Sequence, residues 1–239
     1  QFTEACRGIA DACRVLETPV TGGNVSFYNE SPGGAVDPTP VIGMVGLLAR
    51  AEQAVPSHAR MAGDRVFVLG LTRAELGGSA YWEAVLDCHG GEPPQVDLAA
   101  ERRLVTLLVA AAERGLVHSA HDCSDGGLGV TLAEVAMGGP YHAAGFGLDL
   151  DLTGYGDPLA AHELLFSETQ ARAVVTCAPE RAAAITALAA EHGVPAFDIG
   201  AVGNAGGELQ IRLRDGAIRA PLARLREVYF TAIPRRMGD

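Results

Sequence analysis

From Arg65 onward, short β-branched runs alternate with longer stretches whose apolar residues fall three and four positions apart. That alternation restricts the chain to a mixed helix-and-strand architecture. Arg65–Leu69 (RVFVL) reads as a strand, and a Gly-Gly-Ser entry opens a helix over Gly77–Leu86. Asp97 is placed to N-cap an amphipathic helix running to about Arg114. A strand over Val117–Ala120, a helix over Leu128–Met137 and a strand over Gly145–Leu150 follow. Next come a helix over Leu159–Leu165 and a strand over Ala173–Thr176. Pro179 suits the first turn of an Ala-rich helix to His192, which Gly193 caps. Strands over Phe197–Val202 and Glu208–Leu213 finish the sheet. No strict repeat runs through this pattern, which is α+β or α/β and not a solenoid.

The first fifty residues do not share the pattern. Phe2, Cys6, Ile9, Cys13 and Leu16 form one apolar stripe of a helix that Thr18-Pro19 ends. A glycine turn (Thr21–Glu30), a polar loop to Pro40 and a buried-type strand over Val41–Leu48 complete a block without a closing partner of its own. Residues 51–63 form a polar connector. The chain opens at Gln1 without Met and carries no signal-peptide pattern, so the expectation is a piece cut from something longer.

At 239 residues and 48% hydrophobic content the chain can bury a core, which excludes a disordered class. No apolar run reaches the roughly 18–20 residues that span a bilayer, so no membrane partner is expected. The net charge is −11, and all 18 basic residues are Arg. Without a basic cluster to displace counterions, nucleic acid is not an expected partner. The absence of Lys removes a phosphate-loop lysine, a Schiff base and a lysine general base together. Any phosphate here would be met by metal, Arg or backbone amides. Cys6, Cys13, Cys88, Cys123 and Cys177 are odd in number and widely spaced, which suits reduced thiols in the cytoplasm.

Three segments can carry chemistry. In Thr21–Glu30, Gly22-Gly23 lets the backbone approach a phosphate, Asn24 offers an oxygen to Mg²⁺ and Ser26 can donate to a substrate. The same residues also read as a plain turn. In His121–Gly127, two acids precede a helix start and could hold metal with phosphate, or Ser124 or Asp125 could simply cap the helix. Ser167–Gln170 could grip hydroxyls or a metal, or be a solvated turn. No fourth ligand joins His118, His121 and Cys123 into a zinc site, and neither G-x-S-x-G nor G-x-x-x-x-G-K-[ST] occurs.

Taken together, Thr18–Glu30 with Pro38–Gly43, then His121–Leu128 (HDCSDGGL), then Leu165–Arg172 (LFSETQAR) resemble the synthetase subunit of the phosphoribosylformylglycinamidine synthase family, in order and over essentially the whole chain. The resemblance implies an α+β fold, an α/β sandwich that is the C-terminal domain of the aminoimidazole-ribonucleotide-synthetase (PurM-like) superfamily. A remnant of a barrel-forming N-terminal-type domain would precede it. Residues 1–50 would be the end of the second barrel-forming domain, and 51–239 the complete C-terminal domain.

The implied reaction is an ATP-dependent C–N ligation in purine biosynthesis. Formylglycinamide ribonucleotide takes ammonia from a glutaminase subunit to give the amidine, with ATP and Mg²⁺ as cofactors. By motif match Gly23 would contact ATP, Asn24 would bind Mg²⁺ and Ser26 would contact the ribonucleotide. No catalytic residue would lie in this chain. Asp122 and Ser124 would match an auxiliary, degenerate nucleotide site, with Thr169 standing where a serine is expected. Implied partners are the missing N-terminal half of the chain, the glutaminase, a small accessory subunit and the small-molecule substrate, and the piece alone would be inactive and self-associate. Two alternatives stand beside this: another synthetase of the superfamily, and a non-catalytic nucleotide-binding or scaffold module.

Overall fold

A computed structural model describes residues 1–26, 29–36, 38–139, 144–156 and 158–238. The chain divides into two units, residues 1–49 and 50–239. In the first, helix α1 (Phe2–Leu16) matches the apolar stripe and ends at Glu17, whose φ of 55° lets the Thr18 amide bond back to the Cys13 carbonyl at 3.1 Å. A two-residue hairpin of β1 (Glu30–Ser31) and β2 (Gly34–Ala35) follows. The strand expected over Val41–Leu48 is not there. Those residues pair with no other described residue and lie exposed, Val45 by 95% and Leu47 by 99%. An apolar run becomes a strand only where a neighbour takes its amides and carbonyls, and this unit supplies none.

The second unit is built on β3 (Arg65–Leu69), β4 (Ser119–Asp122), β5 (Phe146–Asp151), β6 (Ala173–Cys177), β7 (Ala196–Ala205), β8 (Glu208–Leu213) and β9 (Gly216–Pro221). They form one sheet in the order β4-β6-β3-β7-β5-β8-β9, antiparallel except for the β5–β8 pair. The expected strand at Val117–Ala120 sits two residues later, because His118 donates its amide to the Thr176 carbonyl before the ladder proper begins. The hairpin strand β9 and the helices α7 (Leu222–Phe230) and α8 (Ala232–Met237) were not anticipated; Gly216–Pro221 is almost wholly exposed and shows no apolar alternation.

Strand alternation sorts the core into two layers. Val66, Val68 and Val174 face one side, with Leu128, Leu132 and Val135 of α4 (Gly127–Met137), Leu164 and Leu165 of α5 (Ala161–Phe166), and Leu222 of α7. Phe67, Leu69, Val175 and Cys177 face the other. There they meet Leu104 and Leu107 of α3 (Leu98–Glu113) and Ile185 and Leu188 of α6 (Ala182–Glu191). The result is a sheet between two helical layers, an α/β sandwich. Each fully buried Leu or Val contributes roughly 1.5–3 kcal/mol. Asp97 caps α3 as expected, its carboxylate accepting the Ala100 amide at 3.0 Å, a bond that holds its carboxyl below the ordinary value.

Strand register also positions chemistry. Leu69 and Asp122 both lie opposite Ala173, so the segments leaving β3 and β4 and the segment entering β6 meet at one end of the sheet.

Candidate functional site

At that end three segments interlock: Gly70–Ser79 after β3, Cys123–Gly126 after β4, and Ser167–Arg172 before β6. Ser167 and Thr169 are 0% exposed, so this turn is not solvated. The Ser167 hydroxyl accepts the Glu75 amide at 3.0 Å, and the Thr169 hydroxyl accepts the Arg73 amide at 3.0 Å. The Glu168 amide donates to the Glu75 carbonyl at 3.1 Å. Arg172, 2% exposed, ties the turn together. Its guanidinium donates to the carbonyls of Thr169 and Ser167 and to the Thr72 hydroxyl, which also meets the Tyr155 hydroxyl. Neutral acceptors alone hold this buried cation among the described residues.

Close backbone contact explains the glycines. Gly70 adopts φ 94°, and a Cβ there would sit 2.3 Å from the Ala171 carbonyl oxygen. Gly126 and Gly127 adopt φ 79° and 66°, and a Cβ on Gly127 would lie 2.4 Å from the Ser167 carbonyl oxygen. Helix α4 thus begins against the turn itself, at a distance only glycine allows. The side chains of Ser124 and Asp125 do not cap it: both residues are exposed, the Gly127 amide goes to the Ser124 backbone carbonyl at 2.9 Å, and the amide of Gly126 is taken by the Glu168 carboxylate at 2.7 Å. The same oxygen accepts the amide of Ala80, first residue of α2 (Ala80–Leu86), at 2.9 Å. Tyr81 stacks on Phe166 with ring centroids 5.0 Å apart, joining α2 to α5.

A pocket of about 320 Å³ beside this junction is lined by Glu75, Trp82, Glu92, Gln95 and Glu163 among others. Burial alone would raise the Glu75 carboxyl, but hydrogen bonding from the Gln95 amide and Thr169, with the Arg73 guanidinium nearby, holds it below the ordinary value. An ionised Glu75 among two further acids makes this pocket repulsive to a bare phosphate. Asp122 and Ser124 do not line it. The Asp122 side chain is 78% exposed, with His121 at 3.3 Å, and Ser124 is exposed beside it.

Gly23, Asn24 and Ser26 belong to the other unit. All three are exposed, and no Cβ contact would crowd Gly23. The Ser26 hydroxyl donates to the Asn29 side-chain carbonyl at 3.2 Å. Phe27 and Tyr28 lie outside the described residues. Asn24 offers a single oxygen, and among the described residues no cluster of three His, Cys, Asp or Glu could hold a metal. Mg²⁺ keeps several waters and draws other ligands from substrate phosphates, so Asn24 fits as one contributor and not as a complete site.

Sequence reasoning missed Thr72, Arg73, Glu75 and Arg172. Their partners are backbone groups, such as the carbonyls that Arg172 meets, or side chains far along the chain, such as Tyr155 against Thr72, which no local pattern announces; a glycine closing the RVFVL strand was the available signal.

The family model for "AIR synthase related protein, C-terminal domain" matches residues 61–212, nearly two thirds of the chain. This chain belongs to the AIR synthase related protein family. The family's N-terminal domain model matches residues 1–48. Among curated relatives, the chain is 48% identical over 241 residues to the phosphoribosylformylglycinamidine synthase subunit PurL of Thermobifida fusca, covering 100% of this chain and 30% of that protein. It is 44% identical to the same subunit from Chlorobium chlorochromatii, over 98% of this chain and 31% of that one. The chain therefore spans about a third of the length of these relatives. Among solved structures, Thermotoga maritima PurL complexed with FGAR superposes with a TM-score of 0.63 at 22% identity, over 74% of this chain and 30% of that one. The ATP complex of the same protein gives 0.57 over 74% and 28%. At such identity these structures speak for the fold: the α/β sandwich is that of the AIR synthase family. No described helix is long and apolar enough to cross a membrane.

Proposed function

We propose that this chain is the C-terminal part of the synthetase subunit of phosphoribosylformylglycinamidine synthase. Residues 1–50 would end the second barrel-forming domain and 51–239 form the C-terminal domain. The reaction is the ATP-dependent conversion of formylglycinamide ribonucleotide and ammonia to the amidine, in the cytoplasm, beside a glutaminase and a small accessory subunit. The observation that carries this reading is 48% identity along the entire chain to a subunit bearing that name, with three motifs in order.

In this reading Gly23 approaches ATP through its backbone, Asn24 lends its oxygen to Mg²⁺ and Ser26 donates to the ribonucleotide. Their exposure supports it, since a wall completed by another part of a longer protein presents its groups outward. Mg²⁺ would supply charge neutralisation on the phosphates. This chain supplies positioning and no general acid or base. Asp122 and Ser124 belong to the auxiliary nucleotide position, and the exposed apolar residues 41–48 suit the missing half or, in the isolated chain, a second copy.

A chimera tests the reading. The matching 30% of the Thermobifida fusca subunit is replaced by this chain, and amidine formation from ammonia and ATP is assayed. Activity in the chimera and none in the isolated chain is expected. A folded, inactive chimera, or turnover by the isolated chain, contradicts it.

A further inference from the structure

Glu168 is the charged side chain of the Ser167–Gln170 turn, and its neighbours fix where it can reach. Ser167 and Thr169 on either side are 0% exposed and bonded to the Arg73–Glu75 segment, and the Glu168 amide is held by the Glu75 carbonyl. From this anchored backbone one carboxylate oxygen meets the amides of Gly126 at 2.7 Å and Ala80 at 2.9 Å. Those amides belong to separate elements, brought together by the contact of Gly127 with the Ser167 carbonyl and by the Tyr81–Phe166 stack.

We infer that Glu168 closes this junction from within: its carboxylate takes the two backbone amides that an incoming phosphate would need. Converging amides are the means by which a backbone holds an anion, and a bond to an ionised acceptor is stronger than one to a neutral acceptor. A carboxylate tethered to a fixed turn is present at an effective concentration that a free anion must exceed. The junction of these two amides is accordingly self-filled, and Glu168 braces the start of α2 to the start of α4. The inference rests on distances within residues 50–239 and stands or falls apart from the proposed reaction.

Calorimetric titration of the 239-residue chain and its Glu168→Ala variant with inorganic phosphate, against chloride of matched ionic strength, tests it. The unaltered chain is expected to show no saturable phosphate binding at millimolar concentration. Glu168→Ala is expected to bind phosphate saturably and to melt higher in phosphate than in chloride. Equal phosphate binding by both chains, or a folded variant without phosphate response, overturns the inference. If Glu168→Ala does not fold, Glu168→Gln is read by amide hydrogen exchange. Loss of the charged acceptor should speed exchange at Gly126 and Ala80 on the order of 10- to 100-fold. Unchanged exchange overturns it.

Discussion

Val41–Leu48 and Ala173–Cys177 are both short apolar runs of the kind that form buried strands, and they end in opposite environments. Ala173–Cys177 is buried along its whole length between β4 and β3, with helices on both faces. In Val41–Leu48 every residue is exposed and none pairs with another described residue. Composition does not separate them. What differs is whether the same unit provides strands on either side, because a run without neighbours leaves its own amides to water. The polar motif residues do not follow that division. In the packed unit Ser167, Thr169 and Arg172 are turned inward as structure, whereas Asp122 and Ser124, like Asn24 and Ser26, stand in the open.

Truncations give the sharpest contrast. Leu132→Ala removes a 0%-exposed side chain and is expected to cost about 2–5 kcal/mol in urea unfolding of the 50–239 unit. A cost below about 1 kcal/mol would mean that the core is not packed as described. Next in size is Arg172→Ala, which strips a buried guanidinium from two carbonyls and the Thr72 hydroxyl. Roughly 2–4 kcal/mol is expected in the same assay, since charge-assisted bonds are lost and their acceptors stay buried.

A smaller effect depends on pH. Burial, with Asp64 and Asp198 adding to it, pushes the Cys177 thiol up from its ordinary 9.0 to about 11. Below 9 both folded and unfolded chains hold the proton. Between 9 and 11 the unfolded chain releases it first, so stability falls as pH rises, by roughly 2–3 kcal/mol in all. Cys177→Ala should flatten that limb of the stability profile, and a limb of unchanged slope would show that another group titrates there. At the bottom of the scale, Leu47→Ala should alter the stability of the isolated chain by no more than about 0.5 kcal/mol. A larger loss would reveal packing around residues 41–48.

Most of the second unit was legible in the sequence because its elements have strong local signals. RVFVL alternates cleanly between two cores, Asp97 announces α3, and Gly193 adopts φ 65° just beyond α6. What escaped depended on partners far along the chain. The start of α4 looked like work for the side chain of Ser124 or Asp125, yet the Ser124 backbone takes the Gly127 amide and Glu168, 42 residues away, takes that of Gly126, and Arg172 gave no hint that neutral carbonyls would receive it. β9 escaped because an exposed edge strand has no apolar period to display. Gly23, Asn24 and Ser26 have only the motif to name them, since all three lie exposed.

The central proposal is that the exposed residues Gly23, Asn24 and Ser26 carry chemistry while the buried Ser167–Arg172 turn carries structure. The most direct test is Asn24→Ala in the active chimera, with ATP-dependent amidine formation measured against Mg²⁺ concentration. The account predicts a loss of about 10- to 100-fold at low Mg²⁺, partly recovered as Mg²⁺ is raised, with unfolding unchanged. Full activity and an unaltered Mg²⁺ dependence would contradict it.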